Sequence, residues 1–282
     1  MYTVLEILNL TKEYLEKMKV PRPRKEAEEI IGEALGIGRM GVYLDFERPL
    51  VESELELCRS WVMRRSKREP LQYIFGKVKF FDCDIKVTPD VLIPRQETEI
   101  LVDKIAKALA KMELKEKILW DVCCGSGCIG ISLKKRFPEL KVILSDISPA
   151  AIEISIANAK MNGVEIECLN GDLLKPFAGK KADFVVCNPP YVTEEELASL
   201  DDEVRLHEPK LALLARESGL EFYARLATEL PAMLNPKGRV WLEIGTGQKT
   251  AVQKLFCDPK WSSSQVESDW AGHDRFFSLE ME

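Results

Sequence analysis

From about residue 94 onward, short apolar runs alternate with helical segments, and four of those runs stop on a polar residue. "KILWD" closes on Asp121, "KVILSD" on Asp146 and "VEIECLNGD" on Asp172, while "ADFVVC" passes straight into Asn188. Between and after them, "GCIGISLKKRF", "SPAAIEISIANAKMNG", "GLEFYARLATELPAMLN" and "QKTAVQKLFCD" carry apolar residues at helical spacing. "GRVWLEIG" adds a strand, and two late strands around "SSQVESDW" and "DRFFSLE" close the chain. This alternation predicts an α/β domain with a mostly parallel sheet and helices on both faces. Right-handed crossovers then gather the carboxyl ends of the strands along one crevice, where ligands bind.

Residues 2–70 keep a different period. "VLEILNLTKEYLEKM", "VPRPRKEAEEIIGEALGI" and "VESELELCRSWVMRRSKRE" are amphipathic, the second opening on prolines and closing on Gly36 and Gly38. They predict a small helical bundle over residues 1–72. Residues 73–93, rich in aromatic and β-branched types, predict a β-hairpin linker, and residues 94–282 form the larger domain. A chain of 282 residues suits one medium domain beside a smaller one.

Charge narrows the function classes. Residues 1–72 hold 13 basic and 13 acidic residues, so the remaining 27 basic and 33 acidic residues carry the whole net charge of −6. An acidic larger domain is a poor general binder of nucleic acid, whose affinity rests on phosphate neutralisation. The basic cluster of Arg64, Arg65, Lys67 and Arg68 reads most simply as a solvated helix end. No apolar run approaches the roughly 20 residues of a membrane span, and the first segment carries charge too early for a signal peptide. The eight cysteines are scattered, several inside apolar runs, which fits reduced thiols in a cytoplasmic protein. Cys123, Cys124 and Cys128 lack a nearby histidine and a second spaced pair, so no metal site is expected.

The segment "DVCCGSGCIG" places Gly125, Gly127 and Gly130 in a G-x-G-x-x-G pattern between a strand and a helix. Taken alone it allows a dinucleotide. Asp121 ahead of it suits a cationic ligand better than a phosphate. Asp146 at the next strand end can accept both hydroxyls of a ribose. Asp172 can accept from an adenine amino group, with Leu173 beside the ring. These three acids favour S-adenosylmethionine over NAD, although each taken singly is also an ordinary helix cap or turn residue.

The fourth strand ends on Asn188, Pro189, Pro190 and Tyr191. Proline fixes φ and donates no hydrogen bond, and it pushes the residue before it out of the helical region. The stiff corner offers two acceptors, the Asn188 side-chain oxygen and the Pro189 carbonyl, with Tyr191 as a flat face. That set suits a planar –NH₂ group held in line with a sulfonium methyl. The two histidines, His207 and His273, are not needed as bases. A turn with no further role is the plainer alternative.

These residues resemble a known group, the methyltransferases that act on planar nitrogens of DNA, RNA or protein. "IPRQETE", "NPPYV", "HEPKLALLARESGLEFY", "WLEIGTGQ" and "DWAGHDRF" narrow the likeness to the HemK/PrmC family over nearly the whole chain. The resemblance implies a Rossmann-like class I methyltransferase domain with a seven-stranded sheet. It implies methyl transfer to the glutamine of the Gly-Gly-Gln motif in peptide chain release factors; a monomer with no direct nucleic-acid partner is expected. By position, it puts the cofactor loop on Cys123, Cys124, Gly125, Ser126 and Gly127, the ribose acid on Asp146 and the adenine side on Asp172 and Leu173. It puts the substrate motif on Asn188, Pro189, Pro190 and Tyr191, and Asn188 is expected to bind at the cofactor's reactive end as well. The family usually reads "DLGTGSG" where this chain has Cys123 and Cys124, and a proline is commoner at Gln96. A nucleic-acid amino-methyltransferase and a ribosomal-protein glutamine methyltransferase would present the same corner, and a dinucleotide oxidoreductase shares the glycine pattern.

Overall fold

The computed structural model describes residues 2–215 and 218–282, so Arg216 and Glu217 of the "HEPKLALLARESGLEFY" stretch lie outside the described residues. The backbone divides into two compact units: Met1–Gly76 with Asp201–His207, and Lys77–Leu200 with Glu208–Glu282.

The first unit begins with helices α1 (Val4–Lys17), α2 (Pro23–Ala34), α3 (Gly38–Leu44), α4 (Glu52–Arg65) and α5 (Leu71–Phe75). Thr3 caps α1, and Glu6 returns a bond to the Thr3 backbone, so two free N–H groups are satisfied at once. Leu8, Leu15, Ile30, Ile31, Val42 and Leu50 meet in a dry core. Arg65 is fully buried and holds Glu26 at 2.6 Å and Glu203 at 2.6 Å. That ion-paired cluster fastens the Asp201–His207 segment to a bundle encoded more than a hundred residues earlier. Residues 73–75, which the aromatic pattern assigned to the hairpin, are helical instead. Pro70 stands at the N-cap of α5 and Gly76 closes it at φ 73°, so turn residues outweigh strand propensity here.

The second unit opens with the antiparallel hairpin β1 (Lys77–Phe80) and β2 (Cys83–Lys86), followed by α6 (Gln96–Leu109). The alternating region then runs β3 (Ile118–Val122), α7 (Cys128–Arg136), β4 (Lys141–Asp146), α8 (Pro149–Met161), β5 (Glu167–Asn170) and β6 (Ala182–Cys187). Three short helices follow, α9 (Glu194–Ser199), α10 (Asp202–His207) and α11 (Lys210–Leu213), of which α10 belongs to the first unit. The chain ends with α12 (Glu221–Met233), β7 (Leu234–Glu243), α13 (Lys249–Leu255), β8 (Trp261–Ser268) and β9 (Asp274–Met281).

Seven of these strands form one sheet in the order β5-β4-β3-β6-β7-β9-β8. The first five are parallel, and β9 and β8 add antiparallel edges. The expected mostly parallel seven-stranded sheet is therefore present. The chain enters at β3, moves outward to β4 and β5, and crosses back to β6 on the other side of β3. Val122 pairs with Cys187 at this reversal, so Cys123 and Asn188 leave the sheet side by side. Every residue of β6 is buried, as a strand covered on both faces requires. On one face Trp120 stacks on Phe177 at 4.1 Å, within a cluster that includes Val122, Cys187, Tyr223, Leu226 and Leu242. α6, unmarked by any motif beyond its first turn, buries Leu101, Ile105 and Leu109.

Gly130 sits where α7 crosses β4, and a Cβ there would fall inside Leu144 Cδ2, 3.0 Å from Asp121 Oδ2 and 3.1 Å from Val142 Cγ1. Its place in the glycine pattern is thus one of helix–sheet packing. Gly130→Ala should lower stability by about 1–3 kcal/mol through overpacking, read as a shifted urea midpoint at unchanged slope.

Candidate active site

A cavity of about 330 Å³ opens at the carboxyl ends of the parallel strands, a volume within the usual range for small-molecule sites. Its walls come from the loop after β3, the ends of β4 and β5, the corner after β6, residues 89–95 before α6, and Pro209, Leu211, Ala212 and Phe222.

The glycine loop is held from several sides. Cys124 N–H donates to Ser145 O at 3.0 Å. Ser155 Oγ donates to Gly125 O, and Asn158 Nδ2 donates to Ser126 O, both at 2.9 Å. Gly125 has φ 53°, and a Cβ on it would meet nothing within 4 Å, so it turns a bare backbone toward the cavity. Cys123 adopts φ 58°, a left-handed conformation that costs a non-glycine residue about 1–2 kcal/mol.

The three strand-end acids have three different environments. Asp146 lines the cavity and accepts from Gly125 N–H and Ser148 N–H, both at 2.9 Å. Helix α8 is capped instead by Ser148, whose Oγ accepts from Ala151 N–H, so capping is not what places Asp146. Burial raises the pKa of this carboxyl above the ordinary range.

Asp121 is fully buried and does not reach the cavity wall. Its Oδ2 accepts from Gly130 N–H at 2.8 Å, in the first turn of α7, and its Oδ1 has no hydrogen-bond partner among the described residues. Burial pushes its pKa up to about 7.

Asp172 lines the cavity, yet its carboxylate is gripped by Arg225 through two bonds of 2.8 and 3.0 Å and by Lys175 at 2.8 Å. Those partners hold it at about 2. Leu173 beside it is buried at φ 52° and forms part of the wall.

At the corner after β6, Asn188 and Pro190 line the cavity, whereas Pro189 and Tyr191 do not. Tyr191 packs against the sheet's apolar cluster, and burial raises its hydroxyl to about 12. The backbone on either side of Val192 is bonded to Leu213 O and Ala215 N–H, each at 2.9 Å. Gln248 accepts from Gly245 N–H at 2.9 Å and directs its Nε2 at Tyr191 O, 3.4 Å away.

Several residues at the site had no role assigned from the sequence, although Glu208, Phe222 and Glu243 lie in stretches that carry the family resemblance. Glu208 accepts from Ile93 N–H at 3.2 Å and pairs with Arg95 at 2.5 Å, fixing the "IPRQETE" stretch at the rim. Phe222 supplies a ring to the wall. Glu243 is buried at the end of β7 and accepts from Thr98 Oγ1 at 2.7 Å. Burial raises its pKa, while Thr98 and Arg275 favour its ionised form and nearby Glu97 opposes it. A lone acid inside the apolar run "VWLEIG" was the available signal, since such a group is buried only with partners. Among the described residues no cluster of three or more His, Cys, Asp or Glu is arranged to hold a metal.

Comparison with known proteins adds to this geometry. Residues 96–204 match the model of the Methyltransferase small domain, and residues 6–76 that of the PrmC N-terminal domain. The release factor glutamine methyltransferase of Chlamydia trachomatis serovar L2 is 42% identical over 275 residues, covering 98% of this chain and 93% of that protein. The chain belongs to the release factor glutamine methyltransferase family. The members from Geobacter sulfurreducens and Bacillus subtilis are 38% and 36% identical, covering 97% and 98% of this chain and 95% and 96% of theirs. Two solved structures share the fold. The 16S rRNA N2 G1207 methyltransferase of Thermus thermophilus is 12% identical with a TM-score of 0.55, over 73% of this chain and 50% of that one. A methyltransferase from Pyrococcus furiosus is 16% identical with a TM-score of 0.52, over 71% and 89%.

The Asp172 clamp gives this family member a measurable pH signature. A carboxyl held at about 2 stabilises the fold fully above its unfolded value of about 3.9 and loses that contribution as pH falls toward 2. Asp172→Asn should therefore melt below the wild type at pH 7, and the gap should close between about pH 4 and 2 in paired thermal melts.

Proposed function

We propose that this enzyme transfers a methyl group from S-adenosylmethionine to the side-chain amide nitrogen of the Gly-Gly-Gln glutamine in peptide chain release factors. The observation that carries the reading is the position of the Asn-Pro-Pro-Tyr corner, which leaves the sheet beside the glycine loop at the reversal and shares its cavity.

The wall fits the donor. Asp121 Oδ1, behind the wall, is a buried acceptor without a partner among the described residues, and Asp146 places a carboxylate at the wall itself. Two acids and no cation in the glycine loop suit a cationic ligand bearing hydroxyls better than one bearing phosphates. Cys123, Cys124, Gly125, Ser126 and Gly127 would hold the amino-acid end, Asp146 the ribose, and Leu173 the flat base. Asp172, clamped by Arg225, lines the same wall. When bound, S-adenosylmethionine supplies a methyl group on a positively charged sulfur.

The chain's own task is to make a poor nucleophile usable. An amide nitrogen has its lone pair delocalised into the carbonyl. Asn188 Oδ1 and the Pro189 carbonyl accept its two N–H bonds and fix its plane. As the nitrogen gains positive charge, those two acceptors bind it more tightly than in the ground state. Tyr191, packed in the apolar cluster behind the wall, backs the corner on a backbone bonded to Gln248. One nitrogen proton then passes to solvent, and neither histidine stands in the cavity wall. The reading includes a cytoplasmic monomer that takes a release factor as protein partner, with the helical unit gripping it. Nucleic acid, membrane and metal have no part in it.

Incubating the enzyme with donor and a purified release factor should add one CH₂ to the Gly-Gly-Gln peptide by mass spectrometry. No gain there, or transfer to RNA or DNA instead, overturns the reading. Asn188→Ala should cut kcat by roughly 10²–10³, the usual loss for one oriented polar contact to a transition state, with donor affinity little changed by calorimetry. An ionised Asp121 favours a cation, so donor affinity should weaken as pH falls through about 7. Asp121→Asn should flatten that slope.

A further inference from the structure

An asparagine side chain presents an acceptor at one end and a donor at the other, with nearly the same shape. The corner works as a pair of acceptors only if Asn188 turns its oxygen, not its NH₂, toward the incoming amide. Two prolines hold the backbone but say nothing about this choice. The register of the sheet does. Cys187 pairs with Leu242 across β6 and β7, so one step further on Asn188 stands beside Glu243. Neighbours in parallel register share a face of the sheet. Glu243 is buried, and its Oε2 already takes the Thr98 hydroxyl of α6 at 2.7 Å.

We infer that Glu243 is a positioning residue, which takes the Nδ2–H of Asn188 and thereby commits Asn188 Oδ1 to the substrate amide. A carboxylate can only accept. Beside it, the orientation with NH₂ toward Glu243 gains a charge-assisted bond, and the flipped orientation sets two acceptors against each other. A neutral residue of the same shape at position 243 would remove this choice, leaving Asn188 free to meet the substrate donor-first. The inference rests on the proposed role of Asn188 and deepens it.

Four proteins test it: the wild type, Glu243→Gln, Asn188→Asp and the double variant. Each is assayed for kcat and KM with a release factor and for donor binding by calorimetry. Glu243→Gln should lower kcat by roughly 100-fold, the order expected from a misoriented reacting group, with donor affinity and melting temperature close to wild type. Asn188→Asp alone should also be impaired, because two carboxylates then face each other. The double variant should recover at least about tenfold over Glu243→Gln. In it the new amide on β7 can donate to the new carboxylate at the corner, which keeps its other oxygen toward the cavity. A merely structural role for Glu243 predicts no such recovery.

Full kcat in Glu243→Gln overturns the inference, as does a double variant no better than the worse single one. If the variants do not fold, the wild type labelled with ¹⁵N-asparagine still decides. The Asn188 side-chain amide should show one proton protected from solvent exchange, and rapid exchange of both overturns the proposal. An active Asn188→Ala would instead bring down the reading of the corner itself. An inactive Asn188→Ala beside a fully active Glu243→Gln brings down only the role given to Glu243.

Discussion

Parallel strands cannot be joined by a tight turn, so every strand of the β5-β4-β3-β6-β7 series must cross over before its neighbour begins. That constraint puts five carboxyl ends along one edge of the sheet. The central strands β3 and β6 are almost wholly buried because helices cover both faces. Polar groups gather at or just past the strand ends: Cys123, Asp146, Asp172, Asn188 and Glu243, with Asp121 buried one residue inside the end of β3. The reversal between β3 and β6 separates the flanking helices at the same edge and leaves room for the cavity. Site and core are two consequences of one topology.

Having been gathered at one edge, the acids are distinguished by what lies within a few ångströms. Asp121 is buried with a single backbone donor, and loss of solvation wins, so its pKa climbs to about 7. Asp172 has an arginine and a lysine against it, and their bonds win, so it stays near 2. Asp146 is raised by burial, with backbone donors from two loops opposing that rise. A group left near neutrality responds to an arriving charge, whereas one clamped by cations is a structural fixture. The same residue type at or near three strand ends therefore sits in three different environments.

Much of this was legible because it is local. The strand runs, the glycine loop and the Asn-Pro-Pro-Tyr corner are each encoded within about ten residues, and the crossover rule orders them. What stayed hidden depends on partners far away in the chain. Asp172 looked free to meet an adenine because Arg225, its partner, lies 53 residues further on. Glu243 is joined to Thr98 across 145 residues, and Asp201–His207 to Arg65 across 138. Leu71–Phe75 misled for another reason: strand-favouring side chains sit between a proline and a glycine that close a single helical turn. Periodicity sees neither long-range pairing nor a cap that overrides propensity.

The stiffness of the corner likewise has two sources, and only one of them is proline. Fixed φ angles at Pro189 and Pro190 remove local freedom, but a rigid segment can still swing as a body. Swinging is prevented by backbone bonds from Val192 to Leu213 and Ala215 and by Gln248 beneath Tyr191. Gly219 and Gly245 are needed because a Cβ on either would lie 2.6 Å from Tyr191 O or 2.8 Å from Gln248 Oε1. Orientation of an amide is worth several kcal/mol only when the groups that orient it are themselves immobile before the substrate arrives. Residues far from the cavity in sequence thus set how firmly the corner at its wall is held.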